Sequence, residues 1–420
     1  MPTRTDRVGE GAAGPHRRAG VVSGALAAGL ALAAWSGCGP AEGPEDVYDR
    51  ALAAVESGRF NAAGAALERL GRLRSPTPLD WGLRARVAIA RGQVDEALGA
   101  LEHMPEHHPL SSWAHLRAGQ LELRRRRFRP AEAQFRLALD RDPGLVEARR
   151  ERIYILGVQL RRGELAREFE ALSRQGTLTA REVWVWGMVA DLAWWTPGEH
   201  GPILREALGN DPDDRWSRLA LAESERRVGH FDEAQKLLAA MPDDDPDARA
   251  ARAGLALERG RVDEAASLLA EGPEGHAGLE ALRGRLALAR GDGASAVRHL
   301  RSALAAEPGR RQLLTDLGRA CTLAGHAEEA RPYLDAAART DALNSLLLSA
   351  EAREGPTSPE SWRRLGAACE AAGRIDQARA WFALVAVRDP LDREAQQALF
   401  RLNRAARSRD QAHGKTALEP

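Results

Sequence analysis

The side chains with chemical potential in this chain are its histidines, acids and arginines, and their spacing decides what they can do. Four histidines fall close together at His103, His107, His108 and His115. A metal ion needs donors that converge on one point with two or three others. These four straddle a loop and the start of a helix, and no HExxH accompanies them, so they read as surface residues and no metal is expected. Acid groups at Asp211–Asp214 and Asp243–Asp247 lie between apolar-periodic segments. There an aspartate caps the following helix and suits its positive end. Gly414-Lys415-Thr416 lacks the glycine five residues earlier that a phosphate loop requires. The run Gly291-Asp-Gly293-Ala-Ser-Ala296 nominally fits a dinucleotide fingerprint, but it follows a helix rather than a strand. With GxSxG also absent, the chain is not expected to be an enzyme or to carry a cofactor.

Charge excludes another class. The 420 residues carry 60 basic and 60 acidic side chains, and only Lys236 and Lys415 are lysine. Such balance offers no bulk attraction for phosphate. The strongest basic run, Arg124–Arg127 with Arg129, is isolated and holds a single aromatic, Phe128, not the series of interleaved aromatics that base stacking needs. It is expected to complement the end of a helix dipole, with an acidic partner or a lipid headgroup as the alternative, and no nucleic acid is expected. Trp184, Trp186, Trp194 and Trp195 cluster in one stretch. They either fill irregular packing or line a binding surface, where tryptophan is a favoured anchor.

The elements that must hold these residues emerge from Phe128–Pro143. Ala131 is followed by Phe135, Ala138 and a closing Pro143, and Ala131, Ala97 and Ala63 recur at intervals of 34 residues. Two antiparallel helices approach closely only where small side chains face each other, and a larger residue four positions on fills the space to the next unit. No unit buries its apolar face alone, so units stack. The spacing resembles the tetratricopeptide repeat. The resemblance covers roughly residues 44–404, and the match at Trp362, Leu365, Gly366, Ala378, Phe382 and Pro390 is the fullest. It implies an all-α solenoid of about ten helix–turn–helix repeats. Gly58, Gly92, Gly229, Gly260, Gly291, Gly325 and Gly373 occupy the turn between helices, and nothing alternates with period two, so no sheet is expected. An extra helix is expected near Ala342–Arg353, a capping helix near Asp392–Arg404, and a disordered tail over 405–420.

The pattern weakens over 149–214. The fourth repeat keeps Gly163 and Leu172, but Leu156, Glu168, Met188 and His200 stand where small residues belong. This stretch is expected to be a flexible joint between blocks at about 44–148 and 215–404, unless the tryptophans fill the gap. Cys321 and Cys369 share one repeat slot and are expected as buried free thiols, since stacked helices lie roughly 8–10 Å apart and a disulfide needs closer Cα atoms.

At the N-terminus, Arg4, Arg7, Arg17 and Arg18 precede the short apolar run Val21–Trp35, and Cys38 follows. That reads as an export signal rather than a spanning helix. The WSGCG ending resembles a bacterial lipoprotein signal, with Trp35 where such signals usually have leucine. It implies a signal peptide over 1–37, lipidation of Cys38 and a linker over 38–43. Another export signal or an uncleaved anchor is the alternative.

In tetratricopeptide repeats the working surface is the concave face made by the first helix of each repeat. Mapped here, its slots hold Arg86, Gln120, Arg124, Glu223, Arg227, Arg285 and Arg319. With almost no lysine and no asparagine in those slots, a chaperone-tail clamp is not expected; an arginine-lined groove for an acidic or extended peptide is. The function implied is an exported, lipid-anchored scaffold that binds a protein or peptide partner in the bacterial cell envelope. The alternative is an accessory factor in polysaccharide synthesis or export that contacts glycan or a synthase.

Overall fold

The computed structural model describes residues 42–191, 197–349 and 356–416. Residues 1–37, read above as a signal peptide, and Cys38, Trp194 and Trp195 lie outside them. Among the described residues there are 21 α-helices and no strand, so the chain is an all-α helical repeat. The first six are α1 (Pro44–Glu56), α2 (Phe60–Leu73), α3 (Pro78–Ala90), α4 (Val94–Glu102), α5 (Ser111–Arg124) and α6 (Phe128–Arg141). The irregular stretch holds α7 (Val146–Val158), α8 (Arg162–Gln175), α9 (Ala180–Asp191) and α10 (Pro197–Asn210). A regular run follows: α11 (Arg215–Arg227), α12 (Phe231–Ala239), α13 (Pro246–Glu258), α14 (Val262–Ala270), α15 (Ala277–Ala289) and α16 (Gly293–Ala306). The last five are α17 (Arg311–Leu323), α18 (Ala327–Ser349), α19 (Pro359–Ala371), α20 (Ile375–Arg388) and α21 (Arg393–Thr416).

The chain divides into two compact units at Ser75/Pro76, not at 149–214. In the first, α1 and α2 pack as a hairpin around Val47, Ala51, Ala63 and Leu67, all buried. In the second, the small-residue slots do the work expected of them. Ala97, Ala131, Ala234, Ala296 and Ala378 are all at most 1% exposed. A Cβ placed on Gly119 would come within 2.5 Å of the Phe135 ring, and one on Gly284 within 2.5 Å of Leu300. Gly119 and Gly284 thus each admit the large residue 16 positions on, in the second helix of the same hairpin. Asp214 caps α11 through the Trp216 and Ser217 amides at 3.2 and 3.3 Å. Asp245 caps α13 through the Asp247 and Ala248 amides at 3.0 Å. The acid groups therefore act as caps. Cys321 and Cys369 are free and buried, and burial pushes the Cys369 thiol up to about 12.

The irregular stretch departs from expectation in register. The turn of the fourth repeat is at Leu160, which has a left-handed φ of 56° where the third repeat has Arg126 at 55° and the regular repeats place glycine. Gly163 lies inside α8 and faces open space. The small-residue slot five positions after the turn is therefore Leu165, not Glu168, and the sequence register was three residues late. Nor do α9 and α10 form a fifth hairpin. α9 packs on α8, α18 and α20, whereas α10 packs on α11 and shares a buried cluster with α6 and α7. Trp184 donates from Nε1 to the Leu347 carbonyl at 2.9 Å. Trp186 stacks on Phe169 at 5.8 Å between ring centroids. Both tryptophans are buried in one cluster with Leu343, Leu347, Leu365 and Phe382.

The extra helix expected near Ala342–Arg353 is the continuation of α18, an unbroken helix of 23 residues with no glycine to stop it. The helix expected to end at Arg404 runs on to Thr416, into the stretch read as a disordered tail.

Candidate partner-binding cleft

The first helices of successive repeats bring a cleft together. Its wall is α11, α13, α15 and α17, and its volume is about 490 Å³. The floor is small and apolar, with Ala222, Ala250, Gly254, Ala281 and Leu282. Positions one helical turn apart on each first helix point the same way, so the small residues needed for close packing leave a shallow trough. Charged residues line its edge: Glu223 and Arg226 from α11, Glu258 from α13, Arg285 from α15, and Asp316 from α17. Arg310 comes from the N-cap of α17, and Arg162 enters from the first turn of α8. A second chamber of about 550 Å³ continues past Arg162 and Arg310 to Asn344 and Ser345 on α18.

Of the seven residues inferred for the concave face, two fall in this cleft. Glu223 is held by Arg226 at 2.8 Å, and Arg285 lies 4.0 Å from Asp316. Arg227 sits near enough to disfavour the charge on Arg162. Gln120 and Arg124 line a separate hollow with Arg126, Glu151 and Tyr154. Gln120 there donates to Glu147 and Glu151 at 2.8 and 3.1 Å. Arg86 and Arg319 are exposed on α3 and α17 and line neither space. Sequence spacing missed Arg162, Arg310 and Asp316. Asp316 had a findable signal, since it precedes Arg319 by one helical turn on the same first helix. Arg162 had none, because it reaches the cleft from a second helix far away in the chain.

The other candidates resolve locally. His103 stacks on Trp81 with ring centroids 4.0 Å apart. His108 accepts from the Leu110 amide at 3.2 Å, and His115 pairs with Gln134 at 2.8 Å. Among the described residues no group of histidine, cysteine and acid side chains could hold a metal ion. The basic run lies at the end of α5, with Arg124 in its last turn and Arg125 at its C-cap, where cations complement the helix dipole as expected, and most of it is also paired. Arg125 pairs with Asp95 at 2.8 Å, Arg127 with Glu122 at 3.0 Å, and Arg129 with Asp211 through two hydrogen bonds of 2.8 and 3.0 Å. Arg126 donates to the Tyr154 hydroxyl at 2.9 Å. These cations bridge helices and are spent within the fold. Among the described residues no helix is long and apolar enough to cross a membrane.

Tetratricopeptide repeat family models match residues 201–256, 287–354 and 339–393, so repeats of this kind are recognised there. Repeats of this kind commonly form scaffolds for protein–protein contacts. Similar solved structures include a tetratricopeptide repeat protein from Parabacteroides merdae, 17% identical with a TM-score of 0.27, covering 66% of this chain and 98% of that one. The Cut9–Hcn1 hetero-tetramer of the APC/C is 15% identical at TM-score 0.33, with 86% and 76% covered. The human IFIT1 dimer with PPP-AAAA is 18% identical at TM-score 0.32, with 81% and 89% covered. No curated protein matches the chain.

Proposed function

We propose that this chain is a non-catalytic scaffold, exported and lipid-anchored at Cys38 in a bacterial cell envelope, which holds an extended segment of a protein partner. The observation that carries the reading is the cleft on α11, α13, α15 and α17. It pairs a floor of small apolar residues, which admits a backbone, with a rim of arginine and acid side chains that can read charge. Arg227 and Arg319 add exposed cations elsewhere on α11 and α17, and Arg86 and Arg124 add others on α3 and α5. The cleft has no aromatic side chain in its lining to stack on a sugar ring, which favours a peptide over a glycan. Affinity capture of the full chain from envelope extract, read by mass spectrometry, tests the reading. A stable protein partner supports it, whereas retention of polysaccharide would replace it with the accessory-factor role. Anchoring is tested separately. Labelled palmitate should enter the protein in a bacterial host, and Cys38→Ala should abolish labelling and release the chain to the soluble fraction. Wild-type protein that stays unlabelled with an intact N-terminus would sink the anchor.

A further inference from the structure

The contacts that hold the second unit together differ in how much room they leave. Inside a hairpin there is none. A Cβ on Gly318 of α17 would stand 2.6 Å from Leu334 of α18, as close as in the Gly119 and Gly284 hairpins. On the floor of the cleft the joint between hairpins is looser. A Cβ on Gly254 of α13 would meet Leu282 of α15 only at 3.9 Å, and one on Gly278 of α15 would meet Ala250 of α13 at 3.4 Å. The outer layer adds little there, because α12 and α14 have nine residues where α16 has fourteen. At α16 the array stiffens again. Gly293 lies against the backbone of Ala324, which a Cβ would approach to 2.6 Å. The α15–α18 part is therefore one stiff body, joined to the hairpins before it at a yielding contact between α13 and α15.

An open repeat array has two free ends, and each unit touches only its neighbours. The second unit departs from that rule. α8 packs on α9, α9 packs on α18, and the series of neighbours runs back from α17 through α11 to α10. α10 then shares a buried cluster with α7, the hairpin partner of α8. The circuit closes outside the repeat order where α9 meets α18 and α20. This seam is packed as tightly as a hairpin interior, since a Cβ on Gly187 would come within 2.9 Å of the Leu347 side chain. Trp184 crosses it to the Leu347 carbonyl, and Arg374 crosses it to the Gly187 carbonyl. Ala190 on α9 and Ser345 and Leu348 on α18, beside the seam, are walls of the second chamber.

We propose that α9 is a strut that sets the aperture of the cleft. Trp184, Gly187 and Leu347 are then positioning residues for a site that none of them lines. Packed interiors resist compression and transmit strain. When a tight contact and a loose joint lie on one closed circuit, a displacement at the first is taken up at the second. Wedging the seam apart by one side chain therefore carries the α15–α18 body away from α11 and opens the α13/α15 joint, leaving each hairpin intact. The proposal rests on the peptide-scaffold reading and adds what holds its cleft at one width.

The test is a distance across the cleft, measured by double electron–electron resonance on the full chain. Nitroxides are attached at Arg227→Cys on α11 and Arg319→Cys on α17, both exposed positions. Cys38→Ala removes the N-terminal thiol, and Cys321 and Cys369 are buried. A control pair, Arg298→Cys on α16 and Asp335→Cys on α18, lies within the stiff body. The 227/319 distance should lengthen from Gly187 to Gly187→Ala to Gly187→Leu, while the control distance stays fixed. Trp184→Phe, which removes the donor to the Leu347 carbonyl, should broaden the 227/319 distribution with less change in its mean. Circular dichroism should be the same throughout. An unaltered 227/319 distance in folded Gly187→Leu would mean that repeat packing alone sets the cleft, and would overturn the strut. Equal lengthening of both pairs would overturn it too, because the whole array would then have loosened. If Gly187→Leu loses its helical signal, Gly187→Ala decides: a 227/319 distance equal to that of the wild type rejects the strut. No partner is needed for these measurements. Failure of the strut leaves the scaffold reading standing, and failure to capture a protein from extract leaves the strut standing.

Discussion

The run from α11 to α17 and the block formed by α7–α10 with α18–α20 are made of the same kinds of helix but held together differently. In the run, each helix packs on its sequence neighbours, and small residues facing large ones set the spacing, as with Gly284 and Leu300. In the block, partners come from far apart in the chain. Trp184 reaches Leu347, Arg374 donates to the Gly187 carbonyl at 3.3 Å, and His200 hydrogen-bonds the Val158 carbonyl. A chain of ions ties the second helices together there. Glu168 receives Arg149 at 2.6 Å and Arg152 at 2.5 Å, and Arg152 and Arg161 both reach Glu132. The contrast teaches that repeat spacing dictates nearest-neighbour packing. Where that spacing lapses, the helices are held by partners that the repeat does not specify.

The largest effect should come from Glu168→Ala, which removes the carboxylate shared by two arginines whose side chains are each 13% exposed, leaving Arg149 the Pro143 carbonyl and Arg152 only Glu132 at 3.4 Å. Breaking a buried pair of this kind costs about 3–5 kcal/mol, measured by urea denaturation. The same change at Glu223, in the regular run, should cost less than about 1 kcal/mol. Equal costs would erase the contrast. Next come overpacked contacts. Ala131→Leu and Gly187→Leu should each cost about 1–3 kcal/mol, but with different reach. A Cβ on Gly187 would already stand 2.9 Å from Leu347. Gly187→Leu should therefore speed amide exchange in α8–α9 and in α18–α20 together, and leave α11–α16 unchanged. In the wild type, 149–214 should be as protected as its flanks; faster exchange confined to it would restore the flexible joint.

The smallest effect is on pH dependence within the regular run. Burial acts to raise the Glu280 carboxyl, but hydrogen bonds from His299, Arg283 and the Gly275 amide outweigh it and hold it below its ordinary value. A carboxyl lowered by folding contributes stability above its unfolded value near 4.5 and loses it as pH falls through the folded one. Glu280→Gln should therefore flatten the decline in stability below about pH 4.5. An unchanged decline would mean that other carboxyls carry it.

The same contrast explains what could be read from the sequence. The pairing of helices, the buried alanines and the aspartate caps follow from residues within a few turns of each other. The fourth repeat was misplaced because Leu160 takes a conformation that glycine normally signals. The separation of α9 from α10 had no local sign, since the attraction of α9 for α18 and α20 lies in apolar surface without a repeat period. Glu223 and Arg285 in the cleft were legible as slots on first helices. Arg162 was not, because its place depends on where α8 is carried by contacts elsewhere in the fold.

The hydrogen bond from Trp184 to Leu347 joins residues 163 positions apart. A ribosome adding about 5–20 residues per second needs roughly eight to thirty seconds to make what lies between them. During that interval Trp184, Trp186 and Phe169 have emerged, but the helices that cover them have not been made. The waiting surface is apolar and aromatic, the kind that associates with other nascent chains or is shielded by a chaperone. Synthesis order therefore sets a period of exposure that the finished molecule no longer shows. A chain shortened before α18 would remain in that exposed condition.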